Sequence, residues 1–221
     1  GYDVAQQVFE DVDFDENSLK VIFGENEATP LSQNFRNLFN IYNFARNFIT
    51  NDPRANDSNM LQRLERERPG GDVWVYELDN DKIKETILKI LSEQGDGNVG
   101  ILLSSIDRVD YYSQILEDEG KEHSKYHSKI FFRQKREIES NLKNILVTTF
   151  KSAKGLEFDT VIMPDFEDTE NEYRKQYYVG ATRAKRGLYI ICSSLPDMLK
   201  SFPISSYKTN KTTDNTGSGW F

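Results

Sequence analysis

The feature that most constrains this chain is a series of short, almost continuously apolar runs separated by stretches with helical periodicity. The runs are Val73-Trp74-Val75-Tyr76-Glu77-Leu78, Val99 to Leu103, Ile145 to Phe150, Phe158 to Met163 and Gly187 to Cys192. Each is too short for a buried helix, and apolar residues on both sides of the pleat mean that both faces of the sheet are covered. Between the runs, Ile83, Ile87, Leu88, Ile90 and Leu91 share one helical face that ends near Gly95, and Ile106 to Leu116 forms a second amphipathic helix ending at Gly120. Leu38, Ile41, Tyr42, Ala45, Phe48 and Ile49 mark a helix from about Phe35 to Ile49, closed by Asp52-Pro53. Further helices are expected over Phe131 to Leu142, Asn171 to Val179 and Leu195 to Phe202, while Lys121 to Ile130 carries no clear period. Strands that alternate with helices in this way predict an α/β domain built on a doubly wound, mainly parallel sheet.

The chain divides into an acidic lead-in over residues 1–30, the α/β domain over 31–206 and a tail over 207–221. The tail is rich in Thr, Asn, Gly and Ser and reads as flexible, although Trp220 and Phe221 could dock on a partner. Gly1 reads as a cloning remnant. No run approaches the length of a membrane span, the first residues lack a signal peptide's basic and apolar regions, and the single cysteine, Cys192, forbids an internal disulfide. Together these predict a cytoplasmic protein with no membrane partner. His123 and His127 have spacing that could share a metal, but no third ligand stands nearby, so they read as ordinary surface side chains. The net charge of −8 opposes binding to phosphate backbones. Its distribution is uneven, however: acids crowd Glu10 to Glu27 and Asp165 to Glu172, while basic residues gather at Lys151 to Lys154 and Arg183 to Arg186.

In open α/β sheets, ligands bind beyond the carboxyl ends of the strands, and three clusters are expected there. Thr149-Phe150-Lys151-Ser152-Ala153-Lys154-Gly155-Leu156-Glu157-Phe158 is a small, basic, glycine-containing loop whose hydroxyls, ammonium groups and amides suit phosphate oxygens of DNA or of a nucleotide. The same residues would equally make an ordinary basic turn. In Tyr177-Tyr178-Val179-Gly180-Ala181-Thr182-Arg183-Ala184-Lys185, small neighbours would let the Arg183 guanidinium reach out of the domain toward a transferring phosphoryl group. Alternatively it is a surface arginine favoured by a helix C-terminus. Asn34-Phe35-Arg36 sets an aromatic ring beside an arginine at a corner leading into a helix.

In this order the three clusters resemble motifs IV, V and VI of superfamily 1 DNA helicases of the UvrD, Rep and PcrA type, which carry N-Y-R, T-x-H-x-x-K-G-L-E-F and Y-V-A-x-T-R-A. The resemblance runs from about Leu31 to Ser193 and implies the second, C-terminal RecA-like domain of such a motor. Carried over, it makes Arg36 and Arg183 arginine fingers on the ATP γ-phosphate, has Phe35 stack on adenine, and puts Gly155 and Glu157 at the nucleotide, with Glu157 on the ribose. Thr149, Lys151 and Lys154 would hold single-stranded DNA. Lys151 departs from the family's histidine, and Gly180 from its alanine.

No G-x-x-x-x-G-K-[ST] is present, nor a convincing acidic strand end for magnesium. The resemblance therefore implies that ATP and Mg2+ are gripped by an N-terminal RecA-like domain, and that this chain alone is inactive. Ordinary core elements account for Val73 to Leu142, which predicts a compact domain without a large accessory insertion. Two other functions remain in view. One is a helicase-derived module without catalysis that docks DNA or protein, which the acidic balance and Lys151 favour. The other is an unrelated doubly wound enzyme, but the sequence offers it neither a G-x-G-x-x-G nor a nucleophile paired with a base.

Overall fold

The computed structural model describes residues 37–50, 69–127, 143–168 and 174–210. Phe35, Arg36, the expected helix over Phe131 to Leu142 and the Trp220-Phe221 end lie outside the described residues.

Seven strands form one sheet: β1 (Asp72–Glu77), β2 (Val99–Leu103), β3 (Ser124–Tyr126), β4 (Ile145–Thr149), β5 (Phe158–Met163), β6 (Ala184–Cys192) and β7 (Lys208–Thr209). Their order across the sheet is β3-β4-β2-β5-β6-β1-β7, and every pairing is parallel. The helices are α1 (Phe39–Ala45), α2 (Asn80–Glu93), α3 (Ile106–Asp118), α4 (Arg174–Ala181) and the single turn α5 (Asp197–Lys200). A 3-10 turn over Arg46–Phe48 extends α1. The five apolar runs are the five long strands, and β2 is buried along its whole length.

Strands β1 and β2 hand the chain to α2 and α3 on one face, where Ile83, Ile87, Ile90, Val109 and Leu116 pack on Ile101, Leu103, Val147, Ile162 and Ile191. α1 and the segments that follow β4, β5 and β6 cover the other face, where Ile41, Phe44, Phe48, Phe150, Tyr177, Met198 and Leu199 pack on Val73, Val75, Leu102, Val161, Leu188 and Ile190. Aromatic rings join the helices of this second layer: Phe48 meets Phe44 at 5.5 Å, Phe202 at 5.0 Å and Tyr177 at 5.8 Å, and Tyr177 meets Phe166 at 4.2 Å. Edge-on and tilted pairs of this kind contribute beyond the area they bury.

A register shift between Phe158 and Thr160 breaks the alternation of β5, so that Phe158 joins the α1-side core. Its ring lies over Gly100 of β2, where a Cβ would come within 2.6 Å of it. The bulge thus re-aims one side chain, and a glycine on the neighbouring strand makes room for it.

Two strands lie where the sequence shows no strand pattern. β3 falls in the stretch without a period, and β7 falls inside the stretch read as tail. Both are short, polar edge strands held by pairing with β4 and β1 rather than by burial of their own side chains. Asn210 extends β7 by a reciprocal pair with the backbone of Glu77, accepting from its N–H at 3.0 Å and donating to its carbonyl at 3.1 Å. The first helix is also shorter than its periodicity suggests, because Leu38 is extended and Asn37 and Leu38 bond to another segment.

At the carboxyl edge, Asp165 adopts the left-handed conformation with φ 59°. Its carboxylate receives Arg108 Nε at 2.7 Å and Nη2 at 2.6 Å, and the Tyr112 hydroxyl at 2.7 Å. Burial, and then the bond to Asp165, holds the Tyr112 phenol above its ordinary pKa.

Gly180 of α4 has no room for a side chain: a Cβ there would come within 2.7 Å of the Met163 methyl and 2.8 Å of the Phe150 ring. The family's alanine at this position is therefore incompatible with Phe150 as it sits here. Gly180→Ala is expected to destabilise the domain by about 1–3 kcal/mol through overpacking, read as a lower urea midpoint. Adding Phe150→Leu should restore part of the loss, because it removes the atoms that clash.

Candidate functional site

Thr149 ends β4 at the carboxyl edge of the sheet, and Phe158 begins β5 at the amino edge. The eight residues between them must therefore travel the height of the sheet. They do so across the α1-side face, with Phe150 and Ala153 buried in its core. Thr149 organises the start of this crossing: its Oγ1 accepts from Ser152 N–H at 3.2 Å and donates to Ser152 Oγ at 3.0 Å, while its carbonyl accepts from Ala153 N–H at 2.9 Å. Gly155 supplies a φ of 89°, a value that L side chains rarely adopt, with open space around it. Lys151, Lys154 and Glu157 are exposed along the path.

This geometry corrects the expectation that all three clusters lie at the carboxyl ends. Thr149 and Lys151 do. Glu157 and Arg183 lie at the opposite edge, where Phe158 pairs with Ala184 and its N–H donates to the Arg183 carbonyl at 3.0 Å. One loop thus links a basic, hydroxyl-bearing patch on one edge to a charged cluster on the other.

The amino edge is assembled from three distant segments. Asn37, which directly follows Arg36 in the chain and is 4% exposed, donates from Nδ2 to the carbonyls of Thr182 at 3.1 Å and Ala184 at 2.5 Å. Leu38 N–H donates to the Lys185 carbonyl at 3.2 Å. Thr182 Oγ1 donates to the Val179 carbonyl at 3.0 Å, and Lys185 Nζ lies 3.3 Å from Glu157 Oε2. The structure therefore joins the residue after the Asn34-Phe35-Arg36 cluster to the Arg183 cluster, and the Arg183 cluster to Glu157. Sequence reasoning missed Asn37, which adjoins a cluster it had singled out but is of a residue type that announces no role at that spacing. Lys185 stood at the end of the Arg183 cluster, without a role of its own.

Arg183 does not reach out of the domain as its small neighbours suggested. It is 1% exposed: Nε donates to the Val179 carbonyl at 3.0 Å, Nη1 to the Leu156 carbonyl at 3.4 Å and Nη2 to Thr182 Oγ1 at 3.2 Å. A guanidinium removed from water needs such acceptors, and the last turn of α4 supplies one of them, with Thr182 just beyond it supplying another.

Residues 144–191 match the family model of the UvrD-like helicase C-terminal domain. A 73-residue stretch is 36% identical to the RecBCD enzyme subunit RecB of Chlamydia pneumoniae; it covers 30% of this chain and 7% of that protein. The chain thus spans a small fraction of the curated relative that it matches. Among solved structures, the C-terminal domain of a possible DNA helicase from Lactobacillus plantarum WCFS1 superposes with a TM-score of 0.61 at 18% identity, covering 81% of this chain and 100% of that one. This likeness establishes the fold as that of RecA-like helicase C-terminal domains. A looser match, with a TM-score of 0.44 at 18% identity, is to the E. coli DEAD-box protein SrmB, and covers 57% of this chain and 79% of that one.

Asn37→Asp keeps the shape of the side chain but replaces two donated hydrogens with a carboxylate facing two carbonyl oxygens. It is expected to cost about 2–4 kcal/mol at neutral pH, measured by thermal or chemical unfolding of the 221-residue chain.

Proposed function

We propose that this chain, which carries a UvrD-like helicase C-terminal domain over residues 144–191 on a RecA-like fold, is the second motor domain of an ATP-dependent DNA helicase or translocase. The observation that carries this reading is the separation of its two candidate sites onto opposite sheet edges, joined by the crossing of residues 150–157 that Phe150 and Ala153 anchor in the core. On the amino edge, Glu157 would take the ribose hydroxyls, Gly155 would stand beside the nucleotide, and Arg36 and Arg183 would approach the γ-phosphate, with Phe35 stacking on adenine. Thr149 and Lys151 on the carboxyl edge, with Lys154 along the crossing, would hold the backbone of single-stranded DNA. An N-terminal RecA-like domain would grip the ATP phosphates and Mg2+.

For Arg183 the reading requires an exchange of partners. Its guanidinium would trade two neutral carbonyls and a hydroxyl for anionic phosphate oxygens, and charge-assisted bonds are roughly twice as strong as neutral ones. Arginine suits the role because it stays charged and offers fixed donors to the equatorial oxygens of the transferring group. When the two domains close on ATP, this exchange would tighten α4 and the loop 150–157, and the loop would carry the change to Thr149 and Lys151. Lysine at 151 would contact phosphate as a point charge, so binding would be independent of base sequence and would weaken steeply with salt.

The inward position of Arg183 specifically favours a second reading, in which the domain has kept the fold and lost catalysis, and the arginine serves only to close the amino edge. The two readings separate on the parent polypeptide. The motor reading expects ATP hydrolysis stimulated by single-stranded DNA in the parent and none in the 221-residue chain alone. Arg183→Ala in the parent should then lower turnover by about three to five orders of magnitude with single-strand affinity nearly unchanged. Hydrolysis by the isolated chain would sink the split-site reading. A silent parent that still binds DNA would favour the docking module.

A further inference from the structure

We infer that Lys185 is a positioning residue for the nucleotide: it neutralises and aims the Glu157 carboxylate that would receive the ribose. The inference deepens the motor reading and rests on it. Its basis is how firmly the base of Lys185 is held compared with how lightly its tip is bound. Three consecutive residues are fixed by other segments. The Arg183 carbonyl accepts from Phe158 N–H, the Ala184 carbonyl from Asn37 Nδ2, and the Lys185 carbonyl from Leu38 N–H. The backbone that launches the Lys185 side chain therefore has little freedom. Across the β5–β6 pair, Phe158 faces Ala184, which sets Glu157 and Lys185 on neighbouring strands just off that register point. The ammonium meets the carboxylate at 3.3 Å, with the two side chains 42% and 38% exposed.

A pair this exposed does little for folding, so stability does not account for its place beside Arg183. Charge at the site does. A nucleoside triphosphate brings several negative charges to this edge, and a bare carboxylate next to it would repel them. A carboxylate is nevertheless a good acceptor for sugar hydroxyls. An ammonium alongside resolves the conflict: Glu157 keeps its acceptor oxygens while its charge is offset. Lysine suits this because its flexible stem can let one oxygen go to the ribose while the charge stays close.

The test is steady-state ATP hydrolysis by the full-length parent protein with Lys185→Ala, Lys185→Arg, Glu157→Gln and the Lys185→Ala/Glu157→Gln pair, alongside melting temperatures. The expected result is that Lys185→Ala raises KM for ATP roughly 3- to 10-fold, as the loss of one compensating charge at a partly solvated site predicts, with kcat within about 2-fold and a Tm within about 4 °C of the parent. Lys185→Arg should behave like the parent. The decisive variant is the pair: removing the carboxylate's charge while keeping an acceptor oxygen should return KM to within about 2-fold of the parent. A purely structural lysine would give no such rescue. If the parent hydrolyses ATP and Lys185→Ala leaves KM unchanged, or if the pair is no better than Lys185→Ala, this inference is overturned and the motor reading stands. A parent that neither hydrolyses nor binds ATP overturns both.

Discussion

The two hydrogen bonds that Asn37 donates to the carbonyls of Thr182 and Ala184 close the amino edge of this domain. They join residues 145 and 147 positions apart, and they do so on either side of Arg183. Without them the segment after β6's preceding helix would be an ordinary tight connection whose carbonyls face water. With them the last turn of α4, the start of β6 and the approach to α1 form one unit, and Arg183 is enclosed by it. The geometry of Lys185 and Glu157 follows, since Leu38 and Phe158 fix the neighbouring carbonyls in the same way. A buried amide that satisfies two backbone acceptors fixes position more than it adds stability, because the net gain of each bond is small while the cost of leaving either acceptor unpaired is large.

The second constraint is the crossing between β4 and β5. Parallel strands of one sheet ordinarily require a helix to return the chain from one edge to the other. Between β4 and β5, which flank β2, eight residues do it without one, packed by Phe150 and Ala153 and turned by Gly155. Successive turns hold the crossing, with Ala153 N–H on the Thr149 carbonyl and Leu156 N–H on the Ala153 carbonyl. The close fit of Phe150 against Gly180 ties the same crossing to α4, the helix that leads to Arg183. A rigid path from Thr149 to Arg183 is therefore made of core contacts and contains no long mobile connection. Coupling between opposite edges needs this kind of packed element, since packed cores change between discrete arrangements and do not deform smoothly.

Much of the fold was legible in the sequence because β1, β2, β4, β5 and β6 bury both faces and so carry an uninterrupted apolar signal. β3 and β7 were not, because an edge strand of two or three residues is specified by its neighbour's unpaired backbone groups and leaves no trace in its own side chains. The motifs singled out candidate residues, but not where they would meet. Glu157 and Arg183 were expected at the carboxyl ends, where most α/β ligands bind, and the crossing loop carries Glu157 to the other edge. The burial of Arg183 was equally hidden. Small neighbours permit a side chain to extend, but they also leave a carbonyl in the last turn of a helix open, and the guanidinium turns to it at Val179 and to the Thr182 hydroxyl beside it. Asn37 was invisible for a different reason, and so was the partner of Lys185, since each contact is made only in three dimensions.

The overall acidity of the chain is less of an obstacle to a nucleic-acid role than the sum suggests. Asp110 of α3 is paired with Lys125 of β3, and Arg108 of α3 with Asp165. Opposite charges held this close largely cancel at a distance. Lys151 and Lys154 stand exposed on the crossing loop. At physiological ionic strength, charges farther away than about 8 Å are largely screened. A strand of nucleic acid at the carboxyl edge would respond to that local pair of lysines and hardly at all to the net charge of the whole.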